Sequence, residues 1–473
     1  MIILGTNSVK DTGFDVANSV RFDDGASSYL QKSASSGNRR TFTFSTWLKR
    51  SNLTSGNPSY YHTFFSSDVS GSNSFRFTFN DDSGSDDDKL MVYYYTGSHQ
   101  LKLITNRQFR DTSAWYHIVL AVDTTQGTST NRVKIYVNGV QETDFASSSY
   151  PSQNLQTSVN ESGAPTRVGA GTSLYFDGYM SETVLLDGTA ASPTSFGEFD
   201  EDSGIWKPID VSGLTFGTNG FHLNYENSSE LGTDANGGTT LAETNLTALN
   251  QSTDTCTNNF ATMNPLDNYR QAHAFSDGNL TVTTTNGSQS YSTSSILLTS
   301  GKWYVECKPV SGGSEPEIGI ANKMVLLNAG NNAQVSYNAN GYGYRASDPG
   351  TVWYNGEYVT NSLVTYANGD IIGIALDLDN NKLYFSKNGT FANSQDPTDG
   401  TNAVSIIDPA STEIGGYVFS CNETFNDQNK VFSWNFGSPP YAISSGNTDG
   451  NGHGNFEYAV PSGYLALCTK NLA

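Results

Sequence analysis

Thr41-Phe42-Thr43-Phe44-Ser45-Thr46-Trp47-Leu48 decides the fold. Phe42, Phe44 and Leu48 alternate with Thr and Ser, a period of two that sends rings and hydroxyls to opposite faces of a strand. One face of that strand is therefore expected to be buried. Ser74-Phe75-Arg76-Phe77-Thr78-Phe79 repeats the pattern, and the more continuous run Trp115–Val122 reads as a central strand of a sandwich. Arg132–Val140 carries Asn138-Gly139 near its end, the strongest short hairpin signal.

Working outward, strand signals recur to the C-terminus, and helical periodicity is nearly absent. Leu280–Thr283, Trp303–Cys307 and Ile318–Ala321 are strand-sized. A second hairpin mirrors the first: Asp377 leads through Asn380-Asn381 into Lys382–Lys387, which ends in Asn388-Gly389. Between these halves, residues 226–265 are polar, rich in Gly, Thr and Asn, and poor in aromatics, as in a linker or an extended connection on a domain surface. The fold expected is all-β: two antiparallel β-sandwiches of jelly-roll, concanavalin-like design in tandem. The expected boundaries are an N-terminal arm over 1–15, sandwiches over 16–225 and 266–473, and an extended linker over 226–265.

The 473 residues include 46 Asp+Glu against 25 Lys+Arg, a formal net charge of −21, yet only 15% are charged and 12% are aromatic. Disordered polyelectrolytes have the opposite balance. The sign argues against nucleic acid, whose phosphates require Lys and Arg, and against a basic membrane-surface protein. The negative charge gathers in Asp15–Asp24, Asp81–Asp88 and Glu198–Asp202, so acidity belongs to loops and the strands are nearly neutral. Apolar runs such as Ile371–Leu378 fall far short of the roughly 20 residues a bilayer requires. The first residues, Met1-Ile2-Ile3-Leu4-Gly5, carry no basic region or secretory apolar stretch, so synthesis in a cytosol is expected. Cys256, Cys307, Cys421 and Cys468 show no CxxC spacing and read as thiols rather than a disulfide or zinc framework.

Several segments carry a resemblance. Residues 16–225 resemble a laminin-G-like, concanavalin-type jelly roll through "SVRFDDGASSYL" (19–30), "RTFTFSTWLKRS" (40–51), "WYHIVLAVDTTQ" (115–126), "NRVKIYVNGVQ" (131–141) and the stretch from Leu174 to Pro208. Residues 266–473 resemble a SPRY domain through "TSGKWYVECKPV" (299–310), "EIGIA" (317–321), "GYGYRASDPGTVWYNGE" (341–357), "GDIIGIALDLDNNKLYFSKNGT" (369–390) and "VFSWNFGSPPYA" (431–442). With "DTCTNNFATMNPLD" (254–267) and "PSGYLALCTKNL" (461–472), the whole is similar to structural and tail-fibre proteins of marine tailed bacteriophages. The resemblance implies a non-enzymatic virion protein, assembled in the host cytoplasm and displayed on the particle. As a tail fibre, spike or other appendage it would bind a host-surface glycan or protein. A capsid decoration or head fibre is the alternative. The N-terminal arm would dock onto other virion proteins, and a homotrimer is expected.

Chemistry narrows further. Glycosidases require two carboxylates across a cleft. The nearest approach to a Glu-x-Asp-x-x-Glu strand motif is Glu198-Phe199-Asp200-Glu201-Asp202-Ser203, with Ser203 where the last Glu belongs, so a solvated acidic loop is the better reading. A glycan depolymerase stays the alternative of another class. No nucleophile elbow, zinc-binding His-Glu pattern or P-loop occurs. No catalytic residue is assigned, and His117 and His222 read as sheet residues. Calcium is the one cofactor the composition offers, at Asp81, Asp82, Asp86, Asp87 and Asp88, against a plain solvated hairpin tip. A recognition surface is expected at Tyr342, Tyr344, Arg345, Asp348, Trp353, Tyr354 and Asn355, where rings for stacking lie beside polar groups. Tyr60-Tyr61-His62 with Tyr93-Tyr94-Tyr95 forms a second such set. Alternation forces about half of these rings inward.

Overall fold

A computed structural model describes residues 13–53, 60–81, 84–267, 273–285, 291–312, 315–324, 334–347, 349–423 and 429–472. Most of the expected N-terminal arm, Asp82, Asp348 and the side chain of Asp81 lie outside this set. The chain is all-β and forms two compact units that divide between Asn258 and Asn259. Among the described residues the one α-helix is the short turn Thr469–Leu472, and no helix is long and apolar enough to cross a membrane.

The first unit is a sandwich of two antiparallel sheets. Strand Thr41–Arg50 sits at the middle of one, between Tyr116–Asp123 and Gly178–Asp187. In the other, Asn73–Asp81 lies between Tyr60–Ser70 and Lys89–Tyr95. Phe42, Phe44 and Leu48 enter the shared core with Phe64, Phe65, Phe75, Phe77 and Phe79, and Phe44 stacks on Phe65 at 4.2 Å between centroids. The alternating pattern led one to expect a single buried face for Thr41–Arg50. In fact nearly the whole strand is buried. Its hydroxyl face is roofed: Thr43 Oγ1 donates to Thr189 O at 2.7 Å, and Val119, Val184 and Leu186 pack under Phe196, Val211 and Phe216.

The expected extended linker over 226–265 is not seen: residues 226–258 belong to the first unit, and Phe260, Ala261 and Met263 are buried in the second. Ala242–Thr244 adds a strand beside Tyr29–Ser33, and Gln251–Ser252 adds one beside Ser19–Phe22. Leu231, Leu241 and Leu246 belong to the sandwich core. Burial of each of these leucines contributes about 2 kcal/mol, and the added strand pairings help to hold the polar segment around them.

The second unit repeats the design. Lys302–Ser311 is central in one sheet, between Ile372–Asp377 and Val431–Asn435. Pro316–Ala321 lies between Gly341–Arg345 and Val418–Glu423 in the other. The pairing is antiparallel except for a short parallel contact of Leu465–Ala466 with Trp303 and Tyr304. Both expected Asn-Gly hairpins form. Asn138-Gly139 turns Val137 onto Val140 and Asn388-Gly389 turns Lys387 onto Thr390, each with two positive φ angles, as a type I′ turn requires. Cys256, Cys307, Cys421 and Cys468 are all free thiols.

Candidate functional site

In the second sandwich, strands Pro316–Ala321, Gly341–Arg345, Gly350–Tyr354 and Glu357–Leu363 place two rows of residues on the outer face. Glu317 pairs across to Arg345 and then Thr351; Gly319 pairs to Gly343, then Trp353, then Tyr358. The glycines leave the second row without side chains beside Trp353. A Cβ on Gly343 would meet the Glu317 carboxyl group at 2.3 Å, so glycine is what admits that carboxylate. Arg345 Nε donates to Glu317 Oε2 at 2.6 Å, with side-chain exposures of 6% and 0%. Ser336 completes the network: its hydroxyl donates to Glu317 Oε2 at 2.7 Å, and Arg345 Nη2 donates to Ser336 Oγ at 2.6 Å.

Rings cover this ion pair. The guanidinium lies 4.4 Å from the Trp353 ring centroid and 5.4 Å from that of Tyr337. Tyr358 meets Trp353 at 4.0 Å and is itself 61% exposed. Trp353 Nε1 donates to Thr351 Oγ1 at 2.9 Å, which fixes the indole plane. The result is a rigid aromatic platform over a buried cation, with exposed Asn355 in the adjoining turn at φ 52°.

The expected site is thus split. Arg345 and Trp353 face outward and Asn355 flanks them. Tyr342 and Tyr344 face inward and are core residues, not surface ones: Tyr344 packs on Tyr366 at 4.8 Å and Phe385 at 4.9 Å. Tyr354 stacks on Tyr342 at 4.5 Å and packs against the core. Burial pushes the Tyr342 hydroxyl up to about 12. Sequence reasoning missed Glu317, Tyr337 and Tyr358. Asn355 was reached as a polar neighbour of the rings, whereas Tyr358 joins them only through strand pairing across the turn.

The first sandwich carries a related set. Tyr61, Tyr93, Tyr95 and His99 gather on the outer face of the second sheet, with Tyr61–Tyr93 at 6.2 Å, Tyr93–His99 at 5.6 Å and Tyr95–His99 at 5.2 Å. Arg76 Nε donates to both Asp68 carboxylate oxygens, at 3.1 and 2.9 Å, and its Nη1 donates to the Tyr93 hydroxyl at 2.9 Å. Tyr94 turns into the core. Burial raises Tyr93 to about 12.

Two carboxylates of the acidic run are engaged in ion pairs. Asp88 accepts from buried Arg50 at 2.9 Å and from Arg110 at 2.8 Å, and Asp86 pairs with Lys89 at 3.0 Å. Their carboxylates serve cations of the chain itself. Among the described residues no group of three acidic, His or Cys side chains is arranged to hold a metal. Asp200 accepts from the Ser203 amide and hydroxyl, both at 2.8 Å, which hold its carboxyl near about 2 in a hairpin turn.

His117 shows why a serine beside a histidine is not a triad. Ser45 Oγ lies 2.9 Å from His117 Nε2. The Trp206 indole N–H donates to Nδ1 at 2.9 Å, so the neutral ring carries its proton on Nε2 and cannot take one from Ser45. Burial pushes His117 down to about 3. Elsewhere, Glu182 sits at a bulge with φ 46° and meets His222 Nε2 at 2.8 Å, in a pocket of about 380 Å³ shared with Asp210, Asn224 and Glu226.

No curated protein matches the chain. Solved structures with similar regions include the SPRY domain of human HERC1 (16% identity, 36% of this chain and 96% of that one, TM-score 0.27). Others are domain 4 of AbnA, an extracellular arabinanase from Geobacillus stearothermophilus, in complex with arabinotriose (17%, 35% and 69%, TM-score 0.26), and a heptameric SAP-like pentraxin from Limulus polyphemus (14%, 38% and 80%, TM-score 0.28). Likenesses of this extent bear on neither ligand nor activity. Residues 24–194 match the family model described as the Concanavalin A-like lectin/glucanases superfamily, in keeping with the concanavalin-like sandwich fold of the first unit.

Proposed function

We propose that this protein is a non-enzymatic glycan-binding display protein, and that its place is the surface of a tailed-phage particle as a tail fibre, spike or other appendage. The observation that carries glycan binding is the pair of adjoining rings of Trp353 and Tyr358, tilted 41° to each other and seated over the buried Arg345–Glu317 pair. A pyranose presents an apolar face that stacks on such rings, while Asn355 and Asn338 in adjoining turns supply exposed amides. Preorganised rings cost little entropy on binding. The match of residues 24–194 to a lectin and glucanase family supports a second reading, in which sugars bind the Tyr61–Tyr93–Tyr95 face of the first sandwich.

The test is a glycan-binding titration on the full chain, repeated with Trp353→Ala and with Tyr95→Ala, a partly exposed ring of the first face. Loss with Trp353→Ala supports the first reading, and loss with Tyr95→Ala alone supports the second. Release of reducing ends from host polysaccharide would replace both with a depolymerase. The virion placement rests on the sequence resemblance, and image reconstruction of the particle tests it: density at the head would move the protein from tail appendage to capsid decoration.

A further inference from the structure

Strand Thr41–Arg50 places Lys49 on the outer face of its sheet, opposite Tyr179. The segment after Gln251–Ser252 then crosses that face and brings Asp254 onto Lys49. Lys49 Nζ and Asp254 Oδ2 are in direct contact, and each side chain is only 1% exposed. The amine sits 4.6 Å from the Tyr179 ring centroid and 5.8 Å from that of Trp115. Trp115 Nε1 donates to the other carboxylate oxygen, Oδ1, at 3.1 Å. The backbone around Asp254 is pinned as well: Ser19 Oγ donates to Asp254 O at 2.6 Å, and Asp254 N donates to Ser252 Oγ at 3.1 Å.

A lysine and an aspartate taken this far from water are expensive as ions. Burial pushes the Lys49 amine down even with Asp254 beside it and Asp111 near. Proton transfer within the pair leaves a neutral amine against a neutral carboxyl group. That is a nucleophile held on an electrophile, in a site that excludes the water which would reverse the reaction. Fixed contact of this kind substitutes for a very high reactant concentration.

We propose that Lys49 Nζ and Asp254 Cγ become joined in an intramolecular amide that staples the central strand to the segment closing the first sandwich. The nitrogen attacks Cγ, and charge developing on Oδ1 is met by the Trp115 indole N–H. The Cγ–Oδ2 bond breaks, and Oδ2 leaves as water with two protons from the ammonium group. From ammonium and carboxylate the balance is one amide plus one water. No redox change occurs and no co-reactant is required. The amide removes both buried charges and keeps a carbonyl oxygen for Trp115. It also takes the chain between Lys49 and Asp254 out of the load path when the unit is pulled from its ends, which suits a displayed protein.

The test is intact-mass spectrometry of the purified full chain under denaturing conditions, with peptide mapping. The expected result is a mass one water below that of the sequence and a branched tryptic peptide joining Lys49 to Asp254. Asp254→Asn should lose one ammonia instead, and Asp254→Ala should show the unmodified mass. A wild-type mass equal to the sequence overturns the proposal, as does a water loss that persists in Asp254→Ala. The wild-type digest decides the matter by itself should a variant fail to fold.

Discussion

The two sandwiches each put a carboxylate, an arginine and aromatic rings on one outer face, and they use them differently. Around Arg76 the ring in contact, Tyr93, is itself buried, and its hydroxyl is taken up by the guanidinium. Around Arg345 the ion pair is buried beneath the rings, and Trp353 and Tyr358 turn toward solvent. In the first case the cation organises the face. In the second it supports a platform whose rings are turned toward solvent. An arginine stacked on a ring is therefore not a recognition site by itself; what matters is which member of the pair is outermost.

Acid should separate the sandwiches most. Burial lowers His117 in the first to about 3 and His273 in the second to about 4. Both are neutral when folded, and the unfolded chain binds protons below about 6.5, so this stability is complete above that pH and falls as pH drops toward the folded values. The loss approaches about 5 kcal/mol for His117 and about 3 for His273. Thermal melts from pH 7 to pH 3 should show the first transition falling further, and His117→Gln should remove that excess.

Glu317→Ala should cost the second sandwich about 3–5 kcal/mol, because it strands a buried guanidinium. Asp68→Ala should cost the first about 1–3 kcal/mol, since Arg76 retains some contact with water. Denaturant titration of both variants measures the ratio; equal losses would break the comparison. Trp353→Ala should weaken glycan binding about tenfold, or roughly 1–2 kcal/mol, and should also lower the second transition by a similar amount, because it uncovers the guanidinium of Arg345. Chelation is expected to have the smallest effect. With Asp86 and Asp88 engaged by Lys89, Arg50 and Arg110, removing calcium should leave the first transition unmoved.

Much of this was legible along the chain. A period of two in Thr41–Leu48 and Ser74–Phe79 dictates pleated strands with a buried ring face, because successive Cβ atoms point to opposite sides. Asn138-Gly139 and Asn388-Gly389 dictate their turns, because asparagine and glycine tolerate positive φ. The concentration of acid in loops is likewise a property of sequence. Tertiary structure decided what lies against each face. Leu231, Leu241 and Leu246 are too sparse to read as core, and only their seats in the sandwich show that 226–258 is not a linker. Tyr342, Trp353 and Tyr354 look alike in composition, and strand register alone sends one out and two in. Glu317 meets Arg345, and Lys49 meets Asp254, across 28 and 205 positions. Local propensity carries no record of such pairings, because they form only when separate strands are brought side by side and water is driven from between them.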